Sequence, residues 1–352
     1  MRIRAALVLI PLLAACATKP SPAPAPPPVP PPVPTAEEFS KNGPAVVATA
    51  DVVLNDSSRK RDLSVRVAYP DGAGPFPVIV FSHGFGGAGK TYDALARFWA
   101  TRGFVVLMPD HADSGSPAGK DPAAESVREP AGDSVTDPKS WELRARDLAF
   151  VVAATAAVEA RIPALKGKLD ERHVGVGGQS YGAFSALLLG GITVEAAKKE
   201  RNFADPIPKA FLVISPPGKG QQGLTDKSWA GLDRPLLVVT GERDQGSKNQ
   251  DPSWRLDAYQ LSPPGGKYAL FLEGASHLSL TGLAAEPGAV LPPAAGKKAI
   301  SPEAEVQIFR DVRIATVAFW EAYLKDAANA KAFLQSDALM TESGGRAQLL
   351  HR

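Results

Sequence analysis

Nine residues near the middle of the chain restrict its fold more than any other feature. Val174-Gly175-Val176-Gly177 has strand character, Gly178-Gln179-Ser180-Tyr181-Gly182 follows it, and residues 180–189 are small or apolar with helical character. A strand that turns into a helix through G-x-S-x-G sets its serine on a sharp, strained corner with the hydroxyl projecting. Glycines on both sides leave room against neighbouring backbone. The free N–H groups at the helix start face any negative charge that develops there. A serine at this place can also be a plain helix cap. The strand before it and the helix after it favour the chemical reading, with Ser180 as candidate nucleophile.

The rest of the chain alternates in the same way. Strands are expected over 45–54 and 63–69, separated by the turn signal Asn55-Asp56-Ser57-Ser58. The runs 77–81 and 104–108 are apolar throughout, as strands buried on both faces are. Further strands are expected over 210–214, 235–240 and 268–272, with helices over 92–101, 141–160 and 303–324. This pattern describes an α/β domain with a mostly parallel central sheet, helices on both faces and no large cap. The domain covers 41–340, and 341–352 reads as a tail. Two long loops, 110–138 and 278–302, follow strands at the end of the sheet where such folds bind ligands.

A serine hydroxyl needs a base, and the base needs an acid to hold its tautomer. The five histidines are His83, His111, His173, His277 and His351. In folds with this serine corner the chain order is Ser, acid, His. His351 lies in the tail, so His277, just past the last strand, is the candidate base. The acid should end an earlier strand after Ser180. Asp244, in Gly241-Glu242-Arg243-Asp244, is the choice, with Glu242 as the alternative. An oxyanion hole would use the N–H of Tyr181 and one from Ser82-His83-Gly84-Phe85-Gly86-Gly87, where Phe85 is the choice. His83 reads as loop support.

The N-terminus carries a different signal. Arg2 and Arg4 precede nine apolar residues, Ala5 to Leu13, too few to span a bilayer. Leu13-Ala14-Ala15-Cys16 resembles a bacterial lipoprotein signal, which implies cleavage after residue 15 and a lipid on Cys16. By the same resemblance, Ala17 after the cysteine leans toward the outer membrane. Residues 20–34 hold ten prolines in fifteen positions, a stiff extended spacer within a 16–40 linker. The expectation is a lipid-anchored protein of the bacterial cell envelope.

Composition excludes more than it assigns. Lys plus Arg number 39 and Asp plus Glu 37; without Arg2 and Arg4 the signs balance, unlike the basic excess of a nucleic-acid binder. One cysteine allows no internal disulfide. Asp110-His111-Ala112-Asp113 reads as loop hydrogen bonding rather than a metal site, and the chemistry needs no cofactor.

Several segments together resemble the bacterial dienelactone-hydrolase-like and platelet-activating-factor-acetylhydrolase-like esterases of the α/β-hydrolase superfamily. They are PVIVFSHGFGG (77–87), RGFVVLMPDH (102–111), VGVGGQSYGA (174–183), RPLLVVTGERD (234–244) and KYALFLEGASH (267–277). The resemblance implies the α/β-hydrolase fold and hydrolysis of carboxylic esters, short-chain or polymeric, through an acyl-enzyme. It implies Ser180, Asp244 and His277 as triad, with Phe85 and Tyr181 as oxyanion donors. Two departures stand out: Ser180 occupies the place of the cysteine of dienelactone hydrolase proper, and Gln179 replaces the His or Trp often found before the serine. The competing expectation is a non-catalytic envelope binding protein on the same scaffold.

Overall fold

The computed structural model describes residues 34–115, 135–283 and 299–352. The candidate signal sequence, Cys16 and all but the last proline of the Pro-rich segment lie outside the described residues. So do the middle portions of the two long loops.

The strands are β1 (Val47–Asp56), β2 (Arg61–Pro70), β3 (Phe76–Ser82), β4 (Val105–Pro109), β5 (Leu169–Gln179), β6 (Thr193–Ala196), β7 (Lys199–Asn202), β8 (Ala210–Ile214), β9 (Leu236–Arg243), β10 (Lys267–Ser276) and β11 (Ala347–His351). The helices are α1 (Ala36–Ser40), α2 (Asp93–Thr101), α3 (Pro138–Ala153), α4 (Thr155–Arg161), α5 (Tyr181–Gly190), α6 (Asp257–Leu261), α7 (Pro302–Leu324), α8 (Ala328–Leu334) and α9 (Ala338–Glu342).

The main sheet runs β1-β2-β4-β3-β5-β8-β9-β10-β11. From β4 to β10 the neighbours are parallel, and antiparallel pairs occur only at the two ends. Burial explains the strand sequences. Every residue of β4 and β8 is buried, so both are apolar throughout. β2, nearer the edge, alternates exposed and buried positions at Asp62, Leu63, Ser64 and Val65. Two cores result. One lies under α2 and α7, around Trp99, Phe319 and Trp320. The other lies under α3 and α5, around Trp141 and Phe184. This is the mostly parallel α/β architecture expected from the alternation, and it agrees with the α/β-hydrolase fold that the resemblance implies.

The differences have physical causes. The helix expected over 141–160 is two, α3 and α4, meeting at Ala154, where Thr155 turns inward and its hydroxyl donates to Glu171 at 2.7 Å. Residues 341–352 are not a free tail: β11 pairs antiparallel with β10 and closes that edge of the sheet, with His351 opposite Tyr268. The end of the presumed linker also belongs to the domain. Phe39 of α1 is buried against Phe333 of α8, ring centroids 4.6 Å apart. The hairpin β6–β7 was not foreseen, because Lys199-Glu200-Arg201-Asn202 has no apolar alternation.

Glycines in β5 let the layers close. A Cβ on Gly175 would lie 2.5 Å from Trp320 Cζ3, so the indole packs directly against the strand backbone. Trp99 meets the same ring edge-on at 6.0 Å. Trp320→Ala should therefore destabilise the domain by about 3–5 kcal/mol. In urea the midpoint should fall with little change in slope, and an unmoved midpoint would contradict this packing.

Candidate active site

Ser180 is the residue between β5 and α5, with φ 55° and ψ −117°. Such a backbone costs a non-glycine residue about 1–3 kcal/mol and persists only when its surroundings fix it. The fixing contacts are on both sides. Ser180 N–H donates to Ile214 O at 2.9 Å. A Cβ on Gly182 would lie 2.0 Å from Ser82 O, and one on Gly178 would lie 2.4 Å from Gly182 C. The corner is thus pressed onto the end of β3, where the 82–87 loop begins. Tyr181 opens α5, so its N–H is among the first-turn amides that no intrahelical carbonyl accepts. The rings of Phe85 and Tyr181 stand 6.1 Å apart, and both residues line a cavity of about 70 Å³ together with Ser180.

The acid and base expected from sequence also meet. Asp244 Oδ1 lies 2.9 Å from His277 Nδ1. Glu242 instead points to solvent and accepts from Gly274 N–H at 2.9 Å. Asp244 is fully buried, which by itself would raise its carboxyl. Arg255 first, then His277 and the Ser215 hydroxyl, outweigh that burial and hold it below its ordinary range. Arg255 Nε lies 2.9 Å from Asp244 Oδ1. Asp244 is accordingly a charged carboxylate, suited to keeping the proton of His277 on Nδ1.

Two neighbours were not legible beforehand. Ser215 Oγ donates to Asp244 Oδ1 at 2.8 Å and sits 2.7 Å from His277 Nδ1. Its position right after β8 in a parallel sheet was the available signal. Gln179 Nε2 lies 3.0 Å from His277 Nε2, while its Oε1 accepts from Tyr92 at 2.9 Å. The structure therefore brings Ser180, Asp244 and His277 to one end of the sheet, but the group on His277 Nε2 is Gln179. Ser180 Oγ makes no hydrogen bond among the described residues.

Beside this centre the carboxylate–imidazole–serine order occurs again, buried. Asp147 Oδ2 lies 3.0 Å from His111 Nδ1, and His111 Nε2 lies 2.9 Å from Ser82 Oγ. Ser82 and Asp147 are 0% exposed and His111 4%, so substrate does not reach them. They hold the 82–87 loop. Arg144 joins them, donating to Ser82 Oγ at 3.2 Å, His83 O at 2.7 Å and Gly84 O at 3.3 Å, with its guanidinium 4.5 Å above the Tyr181 ring. One buried cation thus spans both segments that carry the candidate oxyanion donors. His83 supports the same loop: its Nε2 accepts from His111 N–H at 3.2 Å and lies 2.7 Å from Ser114 Oγ. Asp113 pairs with Arg144, which overcomes the effect of burial and holds its carboxyl at about 2. The donor atoms of Asp113 and His111 are thus engaged with protein partners.

Comparison with known proteins agrees with part of this picture. A family model described as platelet-activating factor acetylhydrolase, isoform II, matches residues 49–141. That stretch includes Phe85 and the buried His111 but ends before Ser180. Esterase YjfP of Escherichia coli (strain K12) is 31% identical over 134 residues, 38% of this chain and 47% of the relative. The match thus spans about half the relative's length. Among the described residues no helix is long and apolar enough to cross a membrane.

The buried histidines make stability depend on acid. Burial, then Arg144, pushes His111 down from an ordinary 6.5 to about 4. His83 moves the same way, through burial and then Arg144 and His111. Both are neutral when folded, and the unfolded chain takes up their protons first. The contribution of His111 is complete above pH 6.5 and is lost as the pH falls toward about 4. Thermal midpoints measured across that window should fall, and less steeply in His111→Gln; an equal slope in the variant would remove His111 from the account.

Proposed function

We propose that the chain is a serine hydrolase of carboxylic esters, working through an acyl-enzyme with Ser180 as nucleophile, His277 as base and Asp244 as the residue that orients His277. The observation that carries the reading is the strained Ser180 backbone at the same sheet end as His277 paired with a buried, charge-stabilised Asp244. A plain scaffold needs neither. The similarity of parts of the chain to an acetylhydrolase family and to an esterase supports the same chemistry.

In this mechanism Ser180 Oγ attacks the ester carbonyl and its proton passes to His277 Nε2. Gln179 must first give up that nitrogen, so the reaction begins with an exchange of partners at Nε2. Active sites without substrate often hold such bonds open. The N–H groups of Phe85 and Tyr181 stabilise the oxyanion. The imidazolium then protonates the leaving alcohol, and water, deprotonated by the same base, releases the acid. Asp244 stays ionised throughout, and Ser215 limits the rotation of the ring it faces.

The rival reading is an envelope binding protein with an idle serine. Its one support is that Gln179, and not Ser180, holds His277 Nε2. The protein lacking residues 1–34 separates the two. It should hydrolyse p-nitrophenyl acetate and butyrate and react covalently with a fluorophosphonate at Ser180. Ser180→Ala should lose turnover by at least about 10⁴-fold. Unchanged turnover in that variant, or a wild-type serine that the reagent ignores, would sink the esterase reading.

The anchor is proposed on the N-terminal sequence alone: a lipid on Cys16 and a Pro-rich spacer hold the hydrolase at the bacterial cell envelope. Cys16→Ser should move the protein from the membrane fraction to the soluble fraction, and retention of the variant on membranes would overturn the assignment.

A further inference from the structure

Arg144 of α3 is 2% exposed, and the proposed catalytic steps leave it unused. A guanidinium is seldom taken out of water unless partners compensate it. Asp113 supplies the opposite charge, with Oδ1 2.9 Å from Arg144 Nε. The other bonds of Arg144 go to the 82–87 loop and not to the cavity beside Ser180, which Arg144 does not line.

Those bonds fix the direction of one peptide plane. The carbonyls of His83 and Gly84 both accept from Arg144, at 2.7 and 3.3 Å, so two successive carbonyl oxygens converge on one guanidinium. Gly84 O also accepts from His83 Nδ1 at 2.6 Å and from Gly87 N–H at 3.2 Å. The peptide joining Gly84 to Phe85 is trans, and in a trans peptide the N–H points opposite to the C=O. Three donors on Gly84 O therefore aim the Phe85 N–H the other way. That N–H meets no acceptor among the described residues. Asp113 acts just past Phe85, accepting from Gly86 N–H at 3.4 Å. The ion pair thus grips the loop before and after Phe85.

The same guanidinium lies 4.5 Å above the ring of Tyr181, whose N–H is the other candidate donor. A lysine carries a single nitrogen and cannot bind both carbonyls, Asp113 and the ring face together. The planar fork matters here as much as the charge.

Building on the ester hydrolase reading above, we propose that Arg144 is the positioning residue of the oxyanion site, setting the N–H groups of Phe85 and Tyr181 to face one developing charge. Donors placed in advance act on the transition state more than on bound ester, so displacing them lowers kcat and leaves KM nearly unchanged. Acylation and deacylation both pass through such a charge and slow together. The assay is hydrolysis of p-nitrophenyl butyrate by the wild type, by Arg144→Lys, and by Arg144→Met combined with Asp113→Asn. The combined variant removes both charges at once and leaves no buried ion unpaired. Rates are counted per serine labelled by a fluorophosphonate at completion, so a partly unfolded preparation still gives the value. In both variants kcat per labelled serine should fall about 10²-fold, with KM changed by less than about threefold. Inhibition by butylboronic acid, whose adduct on Ser180 places an oxygen where the oxyanion forms, should weaken by a similar factor. A lower thermal midpoint with kcat per labelled serine unchanged would leave Arg144 a purely structural residue and overturn the proposal. A loss carried by KM alone would overturn it too. Wild-type protein that neither labels nor hydrolyses the ester would remove the esterase reading, and this proposal with it.

Discussion

The carbonyl oxygens of Ser82 and His83 press against the backbone of Gly182, with no space for even a methyl group between them. That contact ties the end of β3 to the turn between β5 and α5. Because the two strands are neighbours in a parallel sheet, their C-terminal ends arrive together. The strained Ser180 and the 82–87 loop are therefore fixed by one piece of close packing. A side chain at 182 would separate them and release the strain at Ser180.

Charge is arranged in two separate layers around this contact. On one side buried Asp244, Ser215 and Arg255 join the half-buried His277 in a group in which a cation keeps a carboxylate ionised. On the other side Asp147, His111, Ser82 and Arg144 repeat much of the same chemistry with no access for substrate. In the first the imidazole Nε2 faces the side-chain amide of Gln179, and in the second it faces the hydroxyl of Ser82. The two groups differ in the exposure of the imidazole and in its partner at Nε2, and not in the residue types.

Arg144 reaches across the contact between the 82–87 loop and α5. Its guanidinium binds carbonyls of the loop and lies over the ring of Tyr181. The backbone around Phe85 and the first turn of α5 thus answer to a single buried charge, which Asp113 neutralises.

The sequence alone determined the alternation of strands and helices, the corner at Ser180 and the order of Ser180, Asp244 and His277. These are local or ordinal properties: apolar runs record burial on both faces, and G-x-S-x-G records one turn. The strand expected over 210–214 is β8 itself, since both its faces are covered and nothing polar interrupts it. Tertiary structure decided what depends on contacts distant in the chain. β11 gains its place only through β10, and α1 only through α8. Ser215, Arg255 and Gln179 owe their positions around His277 to three different connections across the sheet. Asp244 and Glu242, alike in sequence, differ in three dimensions, where Asp244 is buried against an arginine and His277 and Glu242 faces water. A strand records its own burial in its residues; a hydrogen bond between segments a hundred residues apart leaves no mark in either one.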